Sequence, residues 1–363
     1  MTKMRVLHVM PDFELGGAQT MLENIVNELH KNPEINVKVC SFYNMKSPIT
    51  ERLEKSGVEI FYLGKHKGLD LSTYYKLVIL LRKFKPNVIH THRYSLRYIV
   101  PSLKMSGLKD VKIIHTLHSI APMEVPKNLQ KLQNKWFKSK MVIPVAISNG
   151  VKESMFDIYD LGKDDVPVIF NGVPLNKCVK KNNYEAYGVI LHIGRFSDVK
   201  NHIELIKMFK ELLKSNDKLK LNLIGSGELE NEVKEYVAKL NISDNVNLLG
   251  AQESCFDYLN KSDIFILPSK YEGMPMTIIE AMGTGLPVVS RPMGGIPEMI
   301  EDGVSGYLCE NVEDMKDVLL RLEGNDLERR RIGINALEKS KQFSSEIMTE
   351  NYLKLYKGLY DKN

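Results

Sequence analysis

Cysteine is scarce, tryptophan occurs once, and no apolar run reaches bilayer length. The four cysteines, Cys40, Cys178, Cys255 and Cys309, lie far apart. That spacing excludes the close pairs of a zinc site and the framework of a disulfide-stapled domain. They read as free thiols in a reducing compartment. A spanning helix needs roughly 20 consecutive apolar residues, and the opening MTKMRVLHVM reads as a charged lead into a strand rather than a secretory leader. A cytoplasmic protein is expected.

What is present is an ordinary globular composition: 363 residues, 43% hydrophobic and 26% charged, enough for two cores. Charge is unevenly spread. Residues 1–180 hold 27 Lys and Arg against 16 Asp and Glu, and residues 181–363 hold 23 against 29. A basic first half implies an anionic partner, with nucleic acid, a phosphorylated substrate and a membrane surface all eligible.

Short β-rich runs alternate with helix-length segments throughout. In the first half they are RVLHVM (5–10), VKVCSF (37–42), VEIFYL (58–63), NVIHTH (87–92), VKIIHT (111–116) and VIPVAIS (142–148). The second half repeats the rhythm with GVILHIG (188–194), KLNLIG (220–225), NVNLLG (245–250), DIFILP (263–268) and PVVS (287–290). Such a pattern predicts βαβ units and parallel sheets, hence two doubly wound α/β domains in series. The expected boundaries are 1–173 and 188–343, joined by a linker at 174–187 that shows neither period. The terminal helix, 344–363, can pack on either domain. Two such sheets facing one another make a deep cleft, and ligands of open α/β sheets collect beyond the strands' carboxyl ends.

The residues of chemical interest sit at those ends. DFELGGAQ (12–19) follows the first strand and opens a helix, so Gly17 can bring backbone N–H groups to an anion; a plain tight turn is the other reading. Its glycines lack the G-x-G-x-x-G spacing of dinucleotide binders. GRFSDVKNH (194–202) sets Arg195 and Lys200 where they can grip a diphosphate. In LIGSGELENEV (223–233), Gly225 and Gly227 leave room for a flat ring or ribose, and Glu228 stands near the helix start. YEGMPMTIIEAMGTGLPVV (271–289) puts Glu272 and Gly273 just ahead of a helix opened by Pro275, whose first N–H groups, at Met276 and Thr277, suit phosphate or sugar oxygens. Glu280 falls inside that apolar helix and needs a partner, which ribose hydroxyls can supply. His8 and His192 lie within strands and read as satisfied core residues. His90 and His92 either orient a loop or meet a second substrate. Glu298 reads as a support for the neighbouring loop.

Taken together these segments resemble the retaining GT-B glycosyltransferases of family 4, the group 1 transferases of the bacterial capsule and exopolysaccharide type. The likeness runs through GGAQ, HTH, HTLHS, AISNGV, IFNGV, GR with KN, GSGELE, the Glu272-to-Glu280 stretch and GGIPEMI. Gly283 stands where the family often has alanine, and SKYEGMPM departs from the usual wording at the donor-sugar pocket. The resemblance implies that Glu272 faces the donor sugar, that the Met276 and Thr277 amides and Gly273 meet the diphosphate, and that Glu280 holds the ribose. Arg195 and Lys200 neutralise the leaving group, Gly17 approaches the same phosphates, and Gly225, Gly227 and Glu228 hold the nucleoside. His118 contacts the transferred sugar, and His92 and Arg93 belong to the acceptor side. It further implies a nucleotide-sugar donor, most commonly a uridine one, and a saccharide or lipid-linked acceptor. No nucleic-acid partner, cofactor or metal is implied, in keeping with the lack of any Asp-x-Asp. A nucleotide-sugar epimerase of the same architecture and a non-catalytic nucleotide-sugar-binding protein are the alternatives.

PKNLQKLQNKWFKSKM (126–141) aligns Lys127, Lys131, Lys135 and Lys138 opposite Leu129, Leu132, Trp136 and Phe137. Such a helix either lies on an anionic membrane, making the protein peripheral at the inner face of the plasma membrane, or packs on the first sheet with its lysines in water.

Overall fold

The computed structural model describes residues 3–360. They form two compact units, one running to Gly172 and resuming at Ser345, the other spanning Val173–Ser344. The first unit runs β1 (Met4–Met10), α1 (Gly17–Lys31), β2 (Ile35–Ser41), α2 (Pro48–Lys55), β3 (Ile60–Tyr62), α3 (Ser72–Phe84), β4 (Val88–His92) and α4 (Leu96–Ser106). It continues with β5 (Lys112–Leu117), α5 (Ala121–Glu124), α6 (Lys127–Lys138), β6 (Val142–Ala146) and α7 (Asn149–Tyr159). In the second unit come β7 (Val189–Ile193), α8 (His202–Leu212), β8 (Lys220–Ile224), α9 (Glu230–Lys239), β9 (Val246–Leu248) and α10 (Phe256–Lys261). Then follow β10 (Ile264–Leu267), α11 (Met276–Thr284), β11 (Val288–Ser290), α12 (Ile296–Met299), β12 (Tyr307–Leu308), α13 (Val312–Glu323) and α14 (Asp326–Ser340). The last helix, α15 (Ser345–Tyr360), belongs to the first unit.

Each sheet has six parallel strands, ordered β3-β2-β1-β4-β5-β6 and β12-β11-β10-β7-β8-β9. Consecutive strand residues such as Val6, Leu7, His8, Val9 and Met10 are all fully buried, so both faces of the sheet are covered. That is why the strands read as continuous apolar runs. In both sheets the order reverses beside the first strand, between β1 and β4 and between β7 and β10. The crevice beyond the carboxyl ends at such a reversal is where this architecture binds ligands. Asp12 to Gly17, Arg93, Gly194-Arg195 and Pro268 to Glu272 follow those four strands, and His92 ends β4.

Two expectations are revised. Residues 174–187 are no free linker. Lys181 donates its N–H to the Thr284 carbonyl at 2.8 Å and pairs through Nζ with Asp263 at 3.1 Å, both side chains nearly buried. The Tyr184 hydroxyl reaches the Gly285 carbonyl at 2.9 Å, and Leu175 and Cys178 press on Gly283, where a Cβ would lie 2.8 and 2.9 Å from them. The segment lacks periodicity because single side chains anchor it to α11. On 126–141, likewise, Trp136 and Phe137 are buried in the first unit, and only Leu132 of the named apolar residues stays exposed beside the lysines.

The closing helix is held by tyrosines on the first sheet. The hydroxyl of Tyr356 lies 2.6 Å from Nδ1 of His90, and that of Tyr352 lies 2.8 Å from the Thr116 hydroxyl, which itself meets His90 Nε2 at 2.7 Å. Tyr356→Phe would leave one buried imidazole nitrogen unsatisfied and is expected to cost about 1 kcal/mol. A lowered urea midpoint checks this; an unchanged one would mean the hydroxyl contributes nothing.

Candidate active site

In the second unit the loops after β7 and β10 meet through an ion pair. Lys200 Nζ lies 2.5 Å from Glu272 Oε1, and the two side chains are only 19% and 9% exposed. The backbone holds the geometry: Lys270 donates its N–H to the Val199 carbonyl at 2.8 Å and pairs with Asp198 at 2.6 Å. Asn201, in the left-handed region at φ 59°, turns the chain into α8. Arg195 lies nearby in sequence but points to solvent, with only a loose 3.7 Å approach to Glu228. Its guanidinium is therefore available to an anion. Glu272 precedes α11, where Pro275 supplies no N–H and the amides of Met276 and Thr277 have no intrahelical acceptor. A carboxylate, two cations and a positive helix end thus share one sheet edge.

The glycines act differently from the sequence expectation. A Cβ at Gly225 would fall 2.0 Å from the Gly194 carbonyl oxygen, and one at Gly227 would fall 2.3 Å from that of Phe196. Both spaces are filled by the neighbouring loop, which is bonded across by Phe196 N–H to the Ser226 carbonyl and Leu229 N–H to the Phe196 carbonyl. These glycines join two strand-end loops rather than open a slot for a ring. Gly294, whose role the sequence left unread, sits at φ 57° with its Cβ position 1.7 Å from the Glu272 carbonyl oxygen, and Gly295 donates its N–H to the Gly273 carbonyl at 2.8 Å. The paired glycines following β11 were the available signal. They fix the Glu272 loop from behind.

Glu280 is half-buried on α11 beside Cys178 and Cys255, with no hydrogen-bond donor on its carboxylate among the described residues. Burial pushes its carboxyl up to about 7, against a smaller opposing pull from Lys177. The unit thus holds a carboxyl that is only partly ionised near neutral pH and lacks donors for its charged form.

In the first unit α1 starts at Gly17, where an added Cβ would meet nothing within 4 Å, leaving the helix mouth open. Arg93, at φ 53°, places Nη1 2.8 Å from both carboxylate oxygens of Asp12, and Gln19 reaches the same carboxylate at 2.9 Å. The loops after β1 and β4 are tied by that pair. His92 is fully buried, so its reading as a group that touches acceptor is corrected to one that supports His118. The rings form a chain: His118 Nε2 to His92 Nδ1 at 2.9 Å, and His92 Nε2 to His8 Nδ1 at 3.3 Å. Burial lowers all three imidazoles, His118 and His8 to about 3, so the chain is neutral and only the central ring, His92, both donates and accepts within it.

His8, His90 and His92 also form the one group among the described residues with metal-ligand spacing. Both nitrogens of His90 are engaged by Tyr356 and Thr116, and both of His92 by other imidazoles, so hydrogen bonding accounts for the cluster and only His8 Nε2 lacks a partner. Sequence reasoning missed Glu124. Its Oε2 accepts the N–H groups of His118 and Ser119 at 3.1 and 2.9 Å, its Oε1 has no partner among the described residues, and burial raises it to about 7. It is the sole carboxylate between Asp110 and Glu153.

Comparison with known proteins matches this layout unit by unit. Residues 15–177 match the family described as Glycosyltransferase Family 4, and residues 176–339 match Glycosyl transferases group 1. The chain is 27% identical to an N-acetyl-alpha-D-glucosaminyl L-malate synthase of Bacillus anthracis, over 84% of each chain. It is also 27% identical to a UDP-Gal:alpha-D-GlcNAc-diphosphoundecaprenol alpha-1,3-galactosyltransferase of Escherichia coli, over 88% of each. The crystal structure of HepE from Anabaena, solved with UDP and glucose, superposes with a TM-score of 0.85 at 17% identity, covering 98% of this chain and all of that one. Two Rossmann-like units with these matches identify the fold as GT-B, and the chain belongs to the group 1, family 4 glycosyltransferases.

Proposed function

We propose that this glycosyltransferase moves a sugar, with retention of anomeric configuration and without a metal ion, from a uridine diphosphate sugar to a saccharide or lipid-linked saccharide in surface polysaccharide synthesis. The Lys200 and Glu272 pair ahead of α11 carries the reading. As the bond from the anomeric carbon to the β-phosphate oxygen breaks, negative charge builds on the diphosphate. Fixed cations and helix amides stabilise it best when already in place. Lys200, Arg195 and the Met276 and Thr277 amides supply that charge, and the resemblance supports the acceptor's proton passing to the departing phosphate. Glu272 then orients the sugar, Glu280 takes the ribose hydroxyls, and Gly273 and Glu228 lie on the same loops. Uridine is supported by the UDP complexes of HepE and by the donor named for the Escherichia coli relative. That relative's diphosphoundecaprenol acceptor supports a lipid-linked one here.

A thermal-shift panel of UDP-, GDP- and ADP-sugars tests the donor. A binder at a hundred times its Kd adds about 2.7 kcal/mol. UDP-sugars alone are expected to raise the midpoint, and a shift with GDP- or ADP-sugars instead would overturn uridine. Transfer that survives EDTA and gives a product of unchanged anomeric configuration by NMR is the companion expectation; loss on chelation, restored by magnesium, refutes metal independence.

A further inference from the structure

Helix α3 carries apolar residues on its outer face as well as on its buried one. Thr73, Leu77, Leu80, Leu81 and Phe84 are buried, yet Leu71, Tyr75 and Ile79, one turn apart in sequence, are 72%, 68% and 49% exposed. Leu69 just before the helix and Met105 at the end of α4 are 62% and 58% exposed. Met105 adjoins the stripe, because Arg82 Nη2 on α3 donates to its carbonyl at 3.3 Å. A helix with an apolar outer face in a soluble unit has an unmet partner. The exposure is not that of a slack loop. Lys65 Nζ donates to the carbonyls of His66 and Gly68 at 2.8 and 2.6 Å, and the Asp70 carboxylate accepts from His66 N, Ser72 N and the Ser72 hydroxyl. The leucines are held outward by a well-tied turn.

The partner's chemistry follows from charge. Residues 69–109 contain eight Lys and Arg against one carboxylate, Asp70, which is taken up by the turn's own N–H and hydroxyl donors. Lys67, Arg82, Lys83, Lys104 and Lys109 are exposed around the stripe. A second copy would bring the same positive charge against itself. A row of apolar side chains rimmed by lysines suits the headgroup boundary of an anionic bilayer, where apolar residues enter the acyl region and each basic residue gains about 1 kcal/mol. We propose that the face of α3 and α4 docks the protein on an anionic lipid membrane. The face adjoins the carboxyl edge of β4, since the Tyr98 hydroxyl on α4 donates to the Gly68 carbonyl at 3.4 Å and α4 opens just after Arg93. Docking stands on these observations alone; only its use in presenting a lipid-linked acceptor rests on the proposed function.

Flotation with vesicles of phosphatidylcholine, with and without phosphatidylglycerol, tests it on the full chain. Wild type is expected to float only with the anionic vesicles. Leu71→Ser/Tyr75→Ser/Ile79→Ser should weaken binding at least tenfold, and Lys83→Glu/Lys104→Glu about fivefold per lysine. Both variants should keep the wild-type melting curve and the stabilisation by a UDP-sugar measured without vesicles, so a failed donor reading shows itself separately. If the triple variant melts early, the lysine variant, altered only at exposed positions, decides. The proposal is overturned if wild type does not float with anionic vesicles, or if both variants float as well as wild type. It is also overturned if Lys131→Glu/Lys135→Glu on α6 abolishes binding that the face variants retain, or if the triple substitution only dissociates a dimer.

Discussion

Lys200→Ala is expected to lower kcat about a thousandfold, close to the loss seen when a fixed donor to a developing anion is removed. Its ammonium stands 2.5 Å from Glu272 in a setting where both side chains are largely withdrawn from water. The substitution removes a cation from the leaving diphosphate and strands a buried carboxylate, so stability should fall as well. The two effects can be separated. Turnover measured well below the melting temperature of Lys200→Ala should stay low, and Lys200→Arg, which keeps a cation beside Glu272, should recover stability and part of the rate. If folded Lys200→Ala turns over as wild type does at the lower temperature, Lys200 is only a structural counter-ion and the proposed role fails. Arg195→Ala offers the opposite control. Arg195 is 69% exposed with one loose contact, so turnover is expected to drop by a comparable factor with no change in stability.

The fold was legible because buried parallel strands are rich in β-branched and apolar residues, and eleven of the twelve show as such runs. The twelfth, Tyr307–Leu308, is two residues long and has no period to show. The stretch from Glu272 to Glu280 was legible too, since Pro275 before an apolar helix announces its start. What the sequence concealed is contact between distant loops. Nothing local shows that Gly225 and Gly227 press against carbonyls of residues 194 and 196, or that Gly294 seats on Glu272. A glycine's need for space looks the same whether ligand or backbone fills it. The histidines show the same limit. HTH and HTLHS announced strand ends, but only the parallel register of β4 with β1 and β5 aligns His8, His92 and His118 into one neutral chain. On α6, equal support for membrane and core readings was inherent in an amphipathic pattern, and the structure shows Trp136 and Phe137 packed in the core with Leu132 left outside.

Glu280→Gln is expected to make the ligand-free protein more stable and the donor complex weaker. Burial raises the carboxyl from its ordinary 4.5 to about 7 in the folded state. The folded protein therefore holds a proton that the unfolded chain has released, and stability declines as pH climbs from about 4.5 to 7 and stays reduced above that. Glutamine keeps the shape without the charge. At pH 8 the variant should exceed wild type by on the order of 2 kcal/mol, and the gap should close toward pH 5 as Glu280 itself becomes neutral. The wild-type penalty has a use if ribose hydroxyls supply the missing donors, because hydrogen bonds to a charged acceptor are worth roughly twice those to a neutral one. Donor affinity should then fall at least tenfold in the variant, most strongly above pH 7. Cys178 and Cys255, pushed up to about 12 first by burial and then by the Glu280 charge, should alkylate faster once that charge is gone. Urea unfolding at pH 5 and pH 8, with calorimetric titration of the donor, measures both sides. Equal stability at pH 8 would remove the buried charge from the account, and undiminished affinity would remove the ribose from Glu280.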